Sequence, residues 1–307
     1  MTRISSFGQS SLLLQNTMRN QERLFTVQQQ ISTGKKANDF QSLGPDIQQA
    51  LSARQARSGV ESFRSTVQNV QRSVDVYDAQ LTSIVDAARE LKSTLVSTVG
   101  QGNAQGFTPF IEQTFGLVSS ALNTKLNGSY IFGGAKTDQS PLTVTNLSDL
   151  VPLVSPQDAF ANDGAKKQAL VAEGVTLEFG QVADDVALEL MASFKRIAEF
   201  NAGPDGPLDG QLTAAQEDFL IREMAQIDQA VDQAQSAQTR NGLVAGRLAT
   251  VDEQHADAEV FFEQFVSDVE DVNLAEAITR LNQDQVALEA SFQAIGTLSR
   301  LSLLNFL

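Results

Sequence analysis

Few residues in this 307-residue sequence have the types and spacing that chemistry needs. His255 is the sole histidine, so any His-dependent triad would have to use it. No second imidazole is present to build a metal site around it. The chain has no cysteine, which excludes disulfides, thiolate metal sites and thiol nucleophiles. His255 lies between Val251 and Ala258 at the spacing of a packed helix face, and reads as a packed or half-buried side chain. Asp184-Asp185 and Asp252-Glu253 are adjacent acid pairs. Neighbours on a helix point in different directions, so neither pair makes an acid/base couple. Gly34-Lys35-Lys36 lacks the G-x-x-x-x-G-K-[ST] spacing of a phosphate loop. It reads as a helix end, with Gly34 as the left-handed cap and the lysines near the negative end of the dipole. No cofactor or metal is expected. A structural or interaction protein leads over an enzyme.

The elements behind these residues are long helices. Residues 46–108 and 208–307 contain no proline. Ala53, Ala56, Val60, Phe63, Val67, Val70, Val74, Tyr77, Leu81, Ile84, Ala88, Leu91 and Leu95 recur in steps of three and four. That is a heptad seam. Gly100, Gly102 and Gly106, with Pro109, end it. Ile111, Phe115, Val118 and Leu122 predict a shorter helix folding back, and Asn127-Gly128 a turn. Tyr130-Ile131-Phe132, Leu142-Thr143-Val144 and residues 175–179 read as short strands. Residues 184–200 read as an amphipathic helix, and 203–210 as a loop. A second seam begins at Leu220, slips near residues 236–241, and resumes at Val244, Leu248, Val251 and His255. Leu24, Val27 and Ile31 form a stripe near one end. Leu274, Ile278, Leu281, Leu288, Phe292 and Ile295 form one near the other. These nine are the candidate assembly residues.

Charge is partitioned along the chain. The overall net charge is −15, yet residues 1–72 carry a net +5 and residues 250–290 a net −10. The asymmetry predicts that the two ends pack together, within one chain or between copies. The acidic balance argues against nucleic acid, which needs a basic face. No window approaches a membrane span, and no secretory signal is apparent. From the residues alone the default is a soluble, cytoplasmic chain.

Several strings resemble the flagellin superfamily of bacterial flagellar axial proteins. Gln28-Gln29-Gln30-Ile31-Ser32-Thr33-Gly34-Lys35-Lys36 is similar to its N-terminal "Q-I-S-T-G-K" signature. Glu270-Asp271-Val272-Asn273-Leu274-Ala275-Glu276-Ala277 is similar to its C-terminal "D-x-D-L-A-E-A" signature. Tyr130, Ile131, Phe132, Gly133 and Gly134, after Asn127-Gly128-Ser129, resemble a string of the hook–filament junction members. Residues 39–46 replace the "S-D-D-P-A" string with one that keeps only part of its acid–proline chemistry.

The expected fold is mainly α: long N- and C-terminal helices forming coiled-coil or bundle rods, with a small β-containing central insert. Segments 1–45 plus 274–307 would be terminal inner-tube helices. Segments 46–140 plus 205–273 would be a helical rod with a β-hairpin, and 141–204 an outer insert. The resemblance implies a non-enzymatic adaptor joining the hook-associated region to the filament; filament flagellin itself is the alternative. It implies export without a cleavable signal to an extracellular flagellum. The implied partners are other copies of the chain, a neighbouring hook-associated protein, flagellin and an export chaperone. Neither nucleic acid nor a membrane is among them.

Overall fold

The computed structural model describes residues 3–37 and 47–304. The replaced string at 39–46 lies outside the described residues. Six helices dominate: α1 (Arg3–Thr33), α2 (Ile47–Gln101), α3 (Phe107–Leu122), α4 (Ala183–Ala202), α5 (Ala214–Glu270) and α6 (Leu274–Leu304). Two antiparallel hairpins lie between α3 and α4. β1 (Lys125–Leu126) pairs with β2 (Ser129–Tyr130), and β3 (Gln168–Ala172) with β4 (Val175–Glu178). The chain divides into two compact units, one of residues 1–59 plus 257–307 and the other of residues 60–256.

In the second unit the α2 seam is buried from Val67 through Leu95. α2 ends where the glycines stand. Gly102 takes a φ of 63°, its N–H donates to Val99 O, and the Asn103 N–H donates to Thr98 O. This is the paired bonding of a Schellman end, which a left-handed residue permits. Pro109 begins rather than ends an element: it falls in the first turn of α3, where a missing N–H costs no intrahelical bond. Ile111, Phe115, Val118 and Leu122 face the core.

α5 runs antiparallel to α2. The Asn241 amide donates to Val74 O at 3.0 Å and the Gln238 amide to Thr82 Oγ1 at 2.9 Å, and Arg64 pairs with Asp252 at 3.3 Å. The expected slip in the α5 seam is absent. Burial continues through Ala234, Ala237, Asn241 and Leu248 at steps of three, four and seven. A polar residue at one seam position, whose amide N–H bonds to an α2 carbonyl while its Oδ1 has no partner, hides that continuity from an apolar count.

The central segment differs from the expected strands. Ile131 and Phe132 are buried but lie outside β2; the Ile131 N–H still donates to Thr124 O, the next position of the register, and the pairing goes no further. Leu142 forms only an isolated bridge with Phe160. The strand at 175–178 is present, and its partner β3 was not expected. Residues 142–159 share one apolar core with α2, α3, α4 and α5. Val171 of β3 is buried against Val67, Val70, Val74 and Leu248.

Candidate assembly site

The two signature strings meet at one joint. α1 ends at Thr33, and Gly34 takes the left-handed conformation (φ 71°) while its N–H donates to Gln30 O at 2.9 Å. The chain then crosses the end of α5. The Val272 N–H donates to Gly34 O at 2.9 Å and the Lys36 N–H to Glu270 O at 2.7 Å, flanking an antiparallel bridge between Lys35 and Asp271. Lys36 Nζ donates to the Asp268 and Val269 carbonyls. These belong to the last turn of α5, which has no basic residue of its own there. The lysine therefore caps a helix distant in sequence, not α1 as the spacing suggested.

Charge closes the same joint. Lys35 Nζ lies 2.5 Å from Asp271 and 3.5 Å from Glu270, and Arg54 Nη2 lies 2.6 Å from Glu270. The hydrogen bond to Asp271 raises the Lys35 pKa above the ordinary lysine value. Hydrogen bonds from Lys35 and Ser267 hold the Asp271 carboxyl below the usual carboxylate range. Just beyond, Asn273 Oδ1 accepts the Ala275 and Glu276 N–H groups and caps α6. Lys35, Lys36, Arg54, Glu270 and Asp271 thus all bond across the joint.

From the joint, α1 and α6 run back antiparallel and pack on each other. The Asn20 amide meets Ser291 Oγ at 3.2 Å, and Arg23 lies 3.8 Å from Asp284. Val27 is buried, and Leu24 and Ile31 are half-buried on the same face of α1. On α6 the expected stripe is divided. Leu281, Leu288 and Ile295 are half-buried, whereas Leu274, Ile278 and Phe292 stay exposed. The most buried residue of α6 is Ala277. The buried register is Ala277, Leu281, Asp284, Leu288, Ser291 and Ile295, again in steps of four and three. Its polar members kept it out of the apolar stripe. α1 carries a second apolar stripe, Leu14, Met18 and Phe25, which faces outward; Phe25 is 66% exposed. Ser32 and Thr33 are exposed, and the Thr33 hydroxyl donates to Gln29 O.

The Tyr130–Gly134 string belongs to the second unit and works as an internal fastening there. Asn127 and Gly128 have φ of 52° and 82°, as the tight β1–β2 turn requires. The Lys125 ammonium sits over the half-buried Tyr130 ring at 4.4 Å from its centroid. The Tyr77 hydroxyl donates to Ile131 O at 2.5 Å, and Phe132 packs edge-on against Tyr77. Burial pushes the Tyr77 pKa up to about 12. Phe132 O accepts the Ala183 N–H at the start of α4, which has no side-chain cap. A Cβ on Gly133 would strike Lys136 O. Gly134 has φ 69°, and a Cβ there would strike the Asp163 carboxylate and stand 2.7 Å from Asp163 O. Asp163 in turn accepts the Ala135 and Ala165 N–H groups.

Two family models match this chain. The bacterial flagellin N-terminal helical region matches residues 4–137, and the bacterial flagellin C-terminal helical region matches residues 224–307. The chain belongs to the flagellin family. Its fold resembles that of a Vibrio parahaemolyticus protein described as a flagellar hook-associated protein, with a TM-score of 0.60 and 15% identity. That match covers 73% of this chain and 97% of the other. The fold also resembles Bacillus cereus FlgL, with a TM-score of 0.57 and 12% identity over 70% of this chain and 98% of the other. Among the curated proteins, none matches the chain by sequence. The flagellin family comprises structural proteins of the flagellum that self-assemble and meet neighbouring flagellar proteins.

In this flagellin-family chain the residues first considered for chemistry hold the fold. His255 is buried, its Nε2–H donates to Val171 O at 2.7 Å, and its ring stacks on Phe63. Asp184 and Asp185 occupy the first turn of α4, where acids suit the dipole. Asp184 accepts the Gln157 and Asn162 amides, and Asp185 pairs with Lys166 at 3.0 Å. Asp252 pairs with Arg64, while Glu253 is exposed. Among the described residues, no group of three or more His, Asp or Glu side chains could hold a metal ion. None of the described helices is long and apolar enough to cross a membrane.

Proposed function

We propose that this chain is a non-enzymatic axial adaptor between the hook-associated region and the flagellar filament, built into the axis by its terminal helices. The observation that carries this reading is the pairing of α1 with α6. The signature-bearing ends close on each other, yet each helix keeps an apolar stripe exposed: Leu14, Met18 and Phe25 on α1, and Leu274, Ile278 and Phe292 on α6. Such stripes need cover, and further copies of the chain supply it in a polymer of repeated contacts. The fold likeness to a hook-associated protein and to FlgL, spanning nearly all of those chains, is in keeping with this reading.

In this reading the nine assembly residues divide between two faces. Leu24, Val27, Ile31, Leu281, Leu288 and Ile295 hold the terminal pair together, and Leu274, Ile278 and Phe292 face neighbours. Segments 1–45 plus 274–307 form the inner tube, 46–140 plus 205–273 the rod, and 141–204 the outer face. The partners are further copies of the chain, a hook-associated neighbour, flagellin and an export chaperone. The protein is exported without a cleavable signal and acts outside the cell.

Deletion with immunogold labelling tests the assignment. A junction adaptor gives a thin labelled band at the hook tip, and its loss releases unattached flagellin into the medium. Label along the whole filament, with filament shortened on deletion, would establish filament flagellin instead.

A further inference from the structure

Two buried amides in the second unit hold acceptors for which the described residues supply no donor. Asn241 of α5 is 1% exposed, and Gln181, two residues before α4, is 5% exposed. Each points its NH2 at a helix carbonyl. Asn241 Nδ2 donates to Val74 O at 3.0 Å, and Gln181 Nε2 to Ala237 O at 3.5 Å. The other half of each amide is left over: Asn241 Oδ1 and Gln181 Oε1 are buried and accept nothing from the described residues. Turning either amide over does not help, because it sets the oxygen against the carbonyl that the NH2 now serves. A buried acceptor with no donor is costly, and two in one place call for a common donor.

The two oxygens stand in adjoining layers of the α2–α5 seam. Gln181 is fixed at the level of Tyr77, whose hydroxyl accepts the Gln181 N–H and donates to Ile131 O. The Gln181 side chain reaches Ala237 O, the carbonyl one helical turn before Asn241. Val74, which Asn241 meets, lies about one turn before Tyr77 on α2. The helices are antiparallel, so Tyr77, Ala237 and Gln181 share one layer, and Val74 and Asn241 share the next. One turn is about 5.4 Å. Two O–H···O bonds of about 2.8 Å, end to end, span the same length. The donors nearby are engaged, the Tyr77 hydroxyl with Ile131 O and the helix N–H groups with their own ladders. The flanking seam residues Val70, Ala234 and Leu248 are apolar and buried, and offer none. We propose that one water molecule is built into this seam, donating one O–H to Gln181 Oε1 and the other to Asn241 Oδ1. Water matches two acceptors with two donors, and it brings no charge that the layer would have to neutralise. Two amide oxygens make too few ligands for a cation. The bridge fastens the segment entering α4 to the seam of the two long helices, and it is independent of the assembly reading above.

Two measurements on the full chain test this. Oxygen-17 relaxation dispersion of the solvent counts the waters that a protein holds for longer than it tumbles. The parent should show one more such water per chain than Gln181→Met with Asn241→Leu, a pair that removes both acceptors. That variant should keep the parent's circular dichroism, because Val74 O and Ala237 O retain their ladder partners and both new side chains are apolar. A crystal structure of the parent, fine enough to show ordered solvent, should place one water within hydrogen-bond distance of both oxygens. Equal counts in the two folded proteins overturn the proposal. So does a crystal structure in which the oxygens share no water or either is bonded to a protein donor. If the variant loses helical content, the crystal result decides alone. None of these readouts involves flagellar assembly, so the reading of axial function stands or falls separately.

Discussion

Replacing Glu270 with glutamine should open the joint between the two signature segments without disturbing the rest of the chain. The carboxylate is 5% exposed and faces Arg54 at 2.6 Å and Lys35 at 3.5 Å. Glutamine keeps the volume but removes the charge, and its NH2 falls in a buried place where Glu270 Oε1 has no hydrogen-bond partner. A hydrogen bond to a charged group contributes roughly 1.5–3 kcal/mol. Arg54 and Lys35 are 47% and 45% exposed, so both can rehydrate when the carboxylate is lost. That screening lowers the expected cost to about 1–2 kcal/mol. Such a change corresponds to local opening roughly 5–30 times more frequent. The assay is native-state amide hydrogen exchange at Lys36 and Val272, whose N–H groups bond across the joint. The Tyr130 amide, bonded to Thr137 O in the other unit, is the internal control. Parental exchange at Lys36 and Val272 would refute the assignment of closure to this carboxylate. Equal acceleration at Tyr130 would refute its locality.

Tyr77→Phe should destabilise the second unit by about 2 kcal/mol in urea unfolding, because Ile131 O is left buried without its donor. Gly134→Ala should cost more than about 2 kcal/mol in the same measurement, combining a left-handed backbone with a collision against Asp163. Phe292→Asp should abolish incorporation into flagella while the circular dichroism melt of the second unit is unchanged, since the side chain is exposed in the single chain. The joint should also respond to pH. Asp271 has a lowered pKa, so its contribution is full above the ordinary carboxylate range and is lost as pH falls through its own lower value, below about 4. Lys35 has a raised pKa, so its contribution is full below the ordinary lysine value and is lost as pH rises through its own higher one. Protection of Lys36 and Val272, corrected for intrinsic exchange, should be flat between these limits and fall outside them.

The helical part of this fold was legible because its seams are written in apolar residues at steps of three and four. The end of α2 and the start of α3 were legible because the left-handed Gly102 and Gly106 mark them. Errors arose where a polar residue does apolar work. Asn241 holds a seam position by bonding to Val74 O, so the α5 seam reads as broken when it is continuous. Asp284 and Ser291 do the same in α6, so its exposed stripe was read together with its buried one. The charge asymmetry was legible as a tendency of the ends to pair, and Arg23–Asp284, Lys35–Asp271 and Arg54–Glu270 realise it within one chain. Lys36 was legible only as a helix-end lysine. That it serves α5 depends on a crossing of chain segments that no local pattern records. β3 was missed because its alternation is weak: Val171 alone is fully buried.

The joint at Lys36 also sets an order in time. Its halves, residues 34–36 and 268–272, are separated by almost the whole chain, so neither can be completed early. During synthesis, or in any passage that leads with the N-terminus, the first half emerges long before the second. Until residue 268 arrives, the Lys36 ammonium has no carbonyls to cap and Gly34 O has no amide to accept. A chain cut short before that point cannot fasten the end of α1. The later signature therefore certifies the first, and only a chain that has reached residue 272 can close the joint.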